Sequence, residues 1–446
     1  MISSSCSVIF GIGQASSWAP PVIGTRPGVV SDDRKVTKDD AGIFHPYGLT
    51  FFWALYGWKF ERDRVLAHLE WIATKGFDYL RILGEVDWEG RSIDPNWPDY
   101  VDILTGFVDA AYDQFGLRSE VTIIGGLQFD VTTGERRFDP TELAGRVASA
   151  LAGRAHKVML YEMANEWDNG WAGYAEKVSI DDMMVMAQIV DSRTPNLVSL
   201  SCPAADDYES MKDATKTCGA SSFTPHIRRS DHDNGWSHVR QGYDFKDFDR
   251  VTWNNEPEGP QSSVESMDNP LQLACCRALG IICGGAGYVL HVAQGVTGKA
   301  DAAHGRPENM WEVPNIDVIM AVVRNVIHLI PDGIENWKCV NNGRDDHPLP
   351  VPDDYFWEGD HPGPALNKNY AAISDNEFVV MLIGVKSGGD TGPVSAGTAR
   401  RACHVDAYDP VTGLVTTSAD LAAGQSWTVP GRGDTMAAYV VRGRYV

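Results

Sequence analysis

The sequence lacks two features that would direct it to a membrane or to nucleic acid. No run of about 18 or more apolar residues is present, so we expect no transmembrane helix. Positive charge is also scarce, because 38 lysines and arginines stand against 60 aspartates and glutamates, a formal net charge of −22. Binding to DNA or RNA requires clustered Lys and Arg that neutralise phosphates. We therefore expect neither a membrane nor a nucleic-acid partner.

Motifs that bind phosphate or metal are missing as well. No G-x-G-x-x-G or G-K-[ST] loop follows a predicted strand, which argues against a nucleotide-binding enzyme. The eight cysteines form no C-x-x-C pair, and those in the apolar stretch 270–283 are typical of buried free thiols. His226, His232 and His238 recur every six residues, a spacing that matches no metal motif. We expect no cofactor and no metal.

Apolar residues are abundant and regularly spaced. They make up 43% of the 446 residues, enough for more than one globular domain. Residues 1–45, rich in Gly, Pro, Ser and Asp, predict a lead-in with a β-hairpin packed on the main domain. Between residues 46 and 334, short apolar runs alternate with longer amphipathic stretches of helical spacing.

This alternation predicts an α/β fold. The predicted strands span residues 47–55, 77–83, 121–126, 158–163, 197–202, 222–227, 250–254 and 287–292. Eight strands that alternate with helices predict a parallel (β/α)₈ TIM barrel, with a doubly wound open sheet as the alternative. From residue 335 the rhythm changes to short strands between turns, which predicts a small antiparallel β-sandwich domain over 335–446. Residues 341–365 are predicted to form a long loop.

Two of the predicted barrel strands end in an Asn-Glu pair. Asn165 and Glu166 follow the fourth strand, and Asn255 and Glu256 follow the seventh. Because the C-terminal ends of barrel strands face the active-site mouth, we expect the two carboxylates to meet there. Retaining hydrolysis of a glycosidic bond requires such a pair. We predict Glu166 as the acid/base and Glu256 as the nucleophile, with Glu258, further into the loop, as the alternative nucleophile.

Other side chains are predicted to bind the substrate around this pair. Arg81 and His226, at the ends of the second and sixth strands, can stabilise an ionised Glu256. Aromatic rings stack on the flat faces of sugar rings, and several tryptophans fall in loops on the same side of the barrel. The predicted substrate contacts are Asn165, Arg81, His226, His291, Trp53, Trp167 and Asn255. Further candidate aromatics in these loops are Trp88, Trp97, Trp171 and Trp236.

With these residues the sequence resembles the glycoside hydrolases of clan A, of the cellulase-like family 5 or 39 type. That clan has a (β/α)₈ barrel with the acid/base Glu, preceded by Asn, after strand four and the nucleophile Glu after strand seven. The resemblance covers about residues 46–330 and implies β-linked poly- or oligosaccharide substrates and net retention. The strand-seven ending Asn-Glu-Pro-Glu-Gly-Pro departs from that of family 5, so the resemblance is to the clan. Residues 405–413 look like part of the β-sandwich appended to several such enzymes.

Three further points follow from this interpretation. The alternative function is a non-catalytic glycan-binding or virion-associated protein on a degenerate barrel, or a barrel hydrolase with a non-sugar substrate. A polysaccharide hydrolase meets its substrate outside cells, yet residues 1–10 have no basic segment before their short apolar run. We expect an extracellular or virion-associated protein. The β-sandwich is expected to buttress the barrel rather than bind glycan.

Overall fold

The computed structural model describes twelve stretches of the chain. They are residues 25–33, 35–130, 132–168, 177–201, 208–226, 248–257, 259–261, 267–341, 346–351, 366–385, 392–433 and 436–446. Within these stretches, no helix combines the length and the apolar character needed to cross a bilayer.

The chain enters the fold through a small antiparallel sheet. Its strands are β1 (Ser31–Asp33), β2 (Val36–Asp39) and β3 (Gly42–Phe44). The sheet has three strands where the sequence predicts a single hairpin, and a tight turn with Gly42 at φ 104° joins the last two. The buried carboxylate of Asp39 accepts hydrogen bonds from Arg26 and from Arg118 (2.8 and 3.0 Å). These ion pairs fix the entry segment to the barrel strand that carries Arg118.

Eight parallel strands form the centre of the molecule. They are β4 (Tyr47–Thr50), β5 (Tyr79–Leu83), β6 (Arg118–Ile124), β7 (Val158–Ala164), β8 (Leu197–Ser199), β9 (Ser222–Phe223), β10 (Val251–Thr252) and β11 (Tyr288–Leu290). The last strand, β11, pairs in parallel with the first, β4, so the ring closes on itself. A doubly wound open sheet would leave these strands apart, and the predicted (β/α)₈ barrel is confirmed.

Among the described residues, the backbone ladder around the ring is interrupted between β8 and β9 and between β10 and β11. One sheet has the order β11-β4-β5-β6-β7-β8, and β9 pairs with β10 separately. The side-chain hydroxyls of Ser199 and Thr224 lie 2.8 Å apart and join β8 to the end of β9. The backbone N–H of Ala286 donates to Thr252 (2.7 Å), which brings the approach to β11 beside β10.

Helices follow most of the barrel strands and cover them on the outside. They are α1 (Ala54–Phe60), α2 (Arg62–Ala73), α3 (Tyr100–Phe115), α4 (Pro140–Leu151), α5 (Ile180–Asp191), α6 (Tyr208–Cys218), α7 (Pro270–Ile282), α8 (Ala293–Thr297) and α9 (Ile316–Asn325). Ser179 caps α5 by accepting from the N–H of Asp182. The first strand stops at Thr50, short of its predicted end, because residues 54–60 turn into α1.

A second, antiparallel sheet system follows the barrel. Its strands are β12 (Lys338–Asn341), β13 (Leu366–Ile373), β14 (Glu377–Val385), β15 (Val394–Thr398), β16 (Cys403–Tyr408), β17 (Val415–Leu421), β18 (Ser426–Val429) and β19 (Met436–Tyr445). The larger sheet has the order β12-β13-β14-β19-β16-β17, and β15 pairs with β18. The predicted β-sandwich is confirmed. Most of the predicted loop over 341–365 lies outside the described residues.

The β-sandwich packs directly on the barrel. One face of its larger sheet buries Met381 and Val440 against Leu271 and Leu279 of α7 in a common apolar cluster. The opposite face forms a separate cluster with β15 and β18, which includes Val394. Burial of this kind stabilises the fold by about 25 cal/mol per Å² of apolar area removed from water. The contacts on α7 are those expected of a domain that buttresses the barrel.

Candidate active site

Two carboxylates lie close together at the C-terminal mouth of the barrel. Glu166 follows β7 and Glu256 follows β10. One oxygen of each, together with a ring nitrogen of His226, lie within 4.8 Å of one another. The side chains of Glu166 and Glu256 are 15% and 8% exposed, so both reach the solvent-facing end of the barrel. The structure thus brings together the pair that the sequence predicts.

The backbone at Glu166 is held in an unusual conformation. Its φ is 47°, in the left-handed region that non-glycine residues rarely adopt. Hydrogen bonds fix the chain on both sides: Asn165 N–H donates to the carbonyl of Ile124 (2.8 Å), and Trp167 N–H donates to Ser201 Oγ (3.3 Å). The buried ammonium of Lys177 donates to the carbonyl of Asn165 (2.8 Å). These three hydrogen bonds hold the turn from which the Glu166 side chain extends.

Arg81 connects the two predicted catalytic strand ends. Its guanidinium is fully buried and donates from Nη1 to Glu256 Oε2 at 3.0 Å. Nη2 donates to Asn165 Oδ1 (2.8 Å) and lies 3.2 Å from His226 Nε2. A cation at this distance favours the ionised form of the Glu256 carboxylate. Phe52 packs with its ring 5.0 Å from the guanidinium carbon and covers the site from one side.

His226 lies between the two carboxylates, and the contact with Arg81 indicates the tautomer of its neutral ring. Arg81 has only donors, so Nε2 of a neutral His226 accepts and Nδ1 carries the hydrogen. Nδ1 lies 3.4 Å from Glu166 Oε1 and 3.6 Å from Glu256 Oε2. Glu166, His226 and Glu256 are close enough to be considered as metal ligands. A cation on Nδ1 would require both ring nitrogens to act as acceptors, so this arrangement suits a hydrogen-bonded carboxylate pair better than a metal.

His291 approaches the nucleophile candidate from the opposite direction. Its Nε2 lies 3.8 Å from Glu256 Oε1, and its Nδ1 lies 3.0 Å from the hydroxyl of Thr50 on β4. The ring also packs beside Phe52, with ring centroids 6.1 Å apart. Phe52 in turn contacts the half-buried Trp88, which the sequence places among the candidate aromatics of the mouth. His291 thus lies where a substrate contact was predicted.

Trp53 and Asn255 do not reach the solvent-facing mouth, whereas Trp167, which follows Glu166, is only slightly exposed. Trp53 is fully buried in the core, and its indole N–H donates to the carbonyl of Gln294 (3.0 Å). Asn255 is also fully buried, and it points into the barrel below the site. Trp167 belongs to the main apolar core and is 9% exposed, and its Nε1 has no hydrogen-bond partner among the described residues. For Trp53 and Asn255, these positions leave no face for a sugar, which corrects the prediction.

Other residues that the sequence singles out lie outside the described residues. They are Glu258, His232, His238, Trp171 and Trp236.

The barrel interior around Arg81 contains two carboxylates that were not predicted from the sequence. Glu120 and Glu162 are fully buried on β6 and β7. The amide of Asn255 donates to both of them, at 2.6 and 3.0 Å. Burial, and then the negative charge of Glu162, raise the pKa of Glu120, while Arg81 opposes this shift. The argument that identified Arg81, a charge in an apolar strand that needs a partner, applies equally to both glutamates.

Two further charged groups near the mouth were also missed. Burial lowers the pKa of Lys177, and the charges of Glu166 and Glu256 oppose this shift. Glu85, which follows β5, is fully buried and accepts from Arg137 (2.9 Å) and from the N–H of Gly126 (3.1 Å). Its burial raises the pKa of Glu85 to about 7, with Arg137 opposing.

The raised pKa of Glu85 predicts a dependence of stability on pH. Between its ordinary value of 4.5 and about 7, folded Glu85 keeps a proton that the unfolded chain releases. Its contribution to stability therefore falls as the pH rises through this interval. We expect Glu85→Gln, which does not titrate, to gain stability relative to the wild type from pH 4.5 to 7, with no further gain above it.

Urea unfolding of both proteins at several pH values measures this difference. Glu89→Gln, at an exposed position on the same loop, is the matched control and should show a flat difference. A flat difference for Glu85→Gln as well would contradict the assignment.

Comparison with known proteins rests on structure alone. No protein-family model matches the chain, and no curated protein matches its sequence. A solved structure described as a glycoside hydrolase aligns with a TM-score of 0.60 and 13% identity, covering 96% of this chain and 98% of the other. A glycoside hydrolase of family 5 from Bacteroides vulgatus aligns with a TM-score of 0.62 and 13% identity, covering 96% and 95%.

A third solved structure shows how far the likeness extends. An α-amylase from Geobacillus thermoleovorans, complexed with acarbose, aligns with a TM-score of 0.51 and 11% identity, covering 85% of this chain and 91% of the other. Because enzymes of different names share this architecture, the comparison establishes the fold and leaves the chemistry to the site. The resemblance to clan A glycoside hydrolases is thus confirmed at the level of the fold, a (β/α)₈ barrel followed by a β-sandwich.

Proposed function

We propose that the protein is a retaining glycoside hydrolase that cleaves β-linked poly- or oligosaccharides. The observation that carries the proposal is that one carboxylate oxygen of Glu166 and one of Glu256 lie within 4.8 Å of each other at the barrel mouth. Retaining enzymes have carboxyl groups about 5–5.5 Å apart, whereas inverting enzymes leave about 6.5–9.5 Å for a water molecule. The separation favours direct attack by a carboxylate over attack by water.

The contacts of the two glutamates support different roles. Glu256 accepts from the guanidinium of Arg81 at 3.0 Å, which suits a carboxylate that must be ionised to attack the anomeric carbon. The hydrogen bonds of the Arg81 guanidinium go to other residues than Glu166. The side chain of Glu166 is also more exposed than that of Glu256. In the first step Glu256 forms a covalent bond to the sugar while Glu166 protonates the leaving oxygen. In the second step Glu166 deprotonates water, which releases the sugar.

The orientation of Asn165 supports a contact with the sugar. Its Oδ1 accepts from Arg81, which leaves the Nδ2 hydrogens as donors. A donor beside the acid/base can bond to the 2-hydroxyl of the sugar, a contact that strengthens in the transition state. A polymer substrate would place the enzyme outside a cell or on a virion, as the sequence analysis expects.

The stereochemistry of hydrolysis tests the proposal. The protein would be incubated with β-glucan, mannan, xylan, galactan and chitosan fragments, and the anomeric protons of the product followed by NMR. We expect the β-anomer to appear first on at least one substrate, before mutarotation. Initial release of the α-anomer would show inversion and overturn the mechanism. Binding of a glycan without hydrolysis would instead favour the non-catalytic alternative.

A further inference from the structure

Glu162 is the centre of a dense hydrogen-bond network inside the barrel. Its Oε2 accepts from Arg81 Nη2 at 2.7 Å, from Arg81 Nε at 3.2 Å and from the hydroxyl of Thr122 at 2.6 Å. Its Oε1 accepts from the hydroxyl of Thr224 at 2.8 Å and from the amide of Asn255 at 3.0 Å. With no exposed surface, the carboxylate is held by residues from four strands or strand ends. Its position is therefore fixed independently of the mouth.

Arg81 transmits this fixed position to the candidate catalytic residues. The guanidinium is planar and rigid, so two bonds to Glu162 set the direction of its remaining N–H groups. Those groups contact Glu256, Asn165 and His226, at 3.0, 2.8 and 3.2 Å. Glu162 is thus one residue removed from the candidate nucleophile, from the candidate 2-hydroxyl donor and from the histidine between the carboxylates.

We infer, on the basis of the proposed function, that Glu162 is a positioning residue that orients Arg81 toward Glu256. Glu162 is fully buried and is therefore not expected to touch the substrate. It is also the carboxylate with the shortest ion pair to Arg81, at 2.7 Å, and such pairing offsets the cost of burying the cation. Displacement of the guanidinium would break its bond to Glu256 and the bond that orients the amide of Asn165.

Glu120 provides a matched comparison within the same cluster. It is equally buried on the neighbouring strand, and its Oε1 lies 3.4 Å from Arg81 Nε and accepts from Asn255 at 2.6 Å. Its Oε2 has no hydrogen-bond partner among the described residues. Burial and the charge of Glu162 raise the pKa of Glu120, so it holds a proton more readily than an ordinary carboxyl. A glutamine at position 120 therefore resembles the protonated form that this shift favours.

The experiment compares Glu162→Gln with Glu120→Gln in the full-length protein. In the wild type, both oxygens of Glu162 accept hydrogen bonds. A glutamine at this position replaces one of these oxygens by an N–H₂ group, which faces donors instead of bonding to them. We expect kcat to fall by roughly 10²-fold, the scale of a misplacement of about 1 Å, with KM nearly unchanged. We also expect the acidic limb of the kcat/KM profile to move to higher pH, because Glu256 loses the support of Arg81. Glu120→Gln should keep a kcat within a few-fold of the wild type and an unchanged acidic limb.

Two additional variants separate positioning from stability. Glu162→Asp keeps the charge and should recover part of the lost turnover. Thr122→Val removes one bond to Oε2, the oxygen that Arg81 contacts, and gives a milder test if Glu162→Gln does not fold. Two results would overturn the inference. One is an equal loss of kcat in Glu162→Gln and Glu120→Gln. The other is an acidic limb that does not move in a folded Glu162→Gln or Thr122→Val protein. A wild-type protein that hydrolyses no glycoside would instead count against the proposed function.

Discussion

Glu256→Gln is expected to lower kcat by roughly 10⁶-fold, the scale of losing a covalent nucleophile. The amide has nearly the same size and can still accept from Arg81, but it cannot attack the anomeric carbon. The loss should appear for every leaving group, because the bond that Glu256 forms is needed in each reaction. Initial rates on an activated aryl β-glycoside measure it with the greatest sensitivity.

The matched control for this variant is Glu258→Gln. It makes the same chemical change two residues away, at the position that the sequence leaves open as the alternative nucleophile. We expect it to retain most of the activity. In addition, Glu256→Gly should regain turnover with azide, which enters the space of the missing side chain and yields an α-glycosyl azide. If Glu258→Gln were the more damaged variant, or if azide rescued only that position, the assignment of the nucleophile would be wrong.

Glu166→Gln is expected to have an effect that depends on the leaving group. Removal of a general acid costs roughly 10²–10⁴-fold in the rate. The first step should suffer this loss with an alkyl or sugar leaving group, which needs a proton. A dinitrophenolate leaves without one, so its release should remain fast. The second step is slow with either substrate, since Glu166 no longer deprotonates water.

Stopped-flow kinetics with dinitrophenyl and unactivated β-glycosides test this prediction. We expect a burst of dinitrophenolate followed by slow turnover, and azide should accelerate the second phase and give the β-glycosyl azide. Asp168→Gln is a suitable control, because it removes a carboxylate from the same loop two residues further on. Equal losses on both substrates without a burst would show that Glu166 is not the acid/base.

The sequence was sufficient to predict the residues at strand ends. Arg81, Glu166, His226 and Glu256 belong to four different strands or their ends, and their contacts follow from the rule that these ends converge at one mouth. The rule works because strand order in a barrel follows chain order, so that residues distant in sequence acquire predictable neighbours.

The rule fails where the direction of a single side chain decides the outcome. Asn255 and Glu256 are adjacent, yet Asn255 is fully buried and donates to Glu120 and Glu162, while Glu256 is partly exposed and lies beside His226. Trp53 is predicted at the mouth as one of the aromatic residues that follow the first strand. That strand stops at Thr50, and the following turn into α1 carries the indole into the core. Neither difference is visible in the pattern of apolar residues.

The left-handed backbone at Glu166 has a consequence for the relation between activity and stability. An L-residue in this conformation costs roughly 1–2 kcal/mol, and glycine adopts it without that cost. The chain therefore gives up stability in order to keep a carboxylate at position 166. A glycine at position 166 would remove this cost, but it could not carry out the proposed chemistry. Selection for stability and selection for activity would therefore act on this residue in opposite directions.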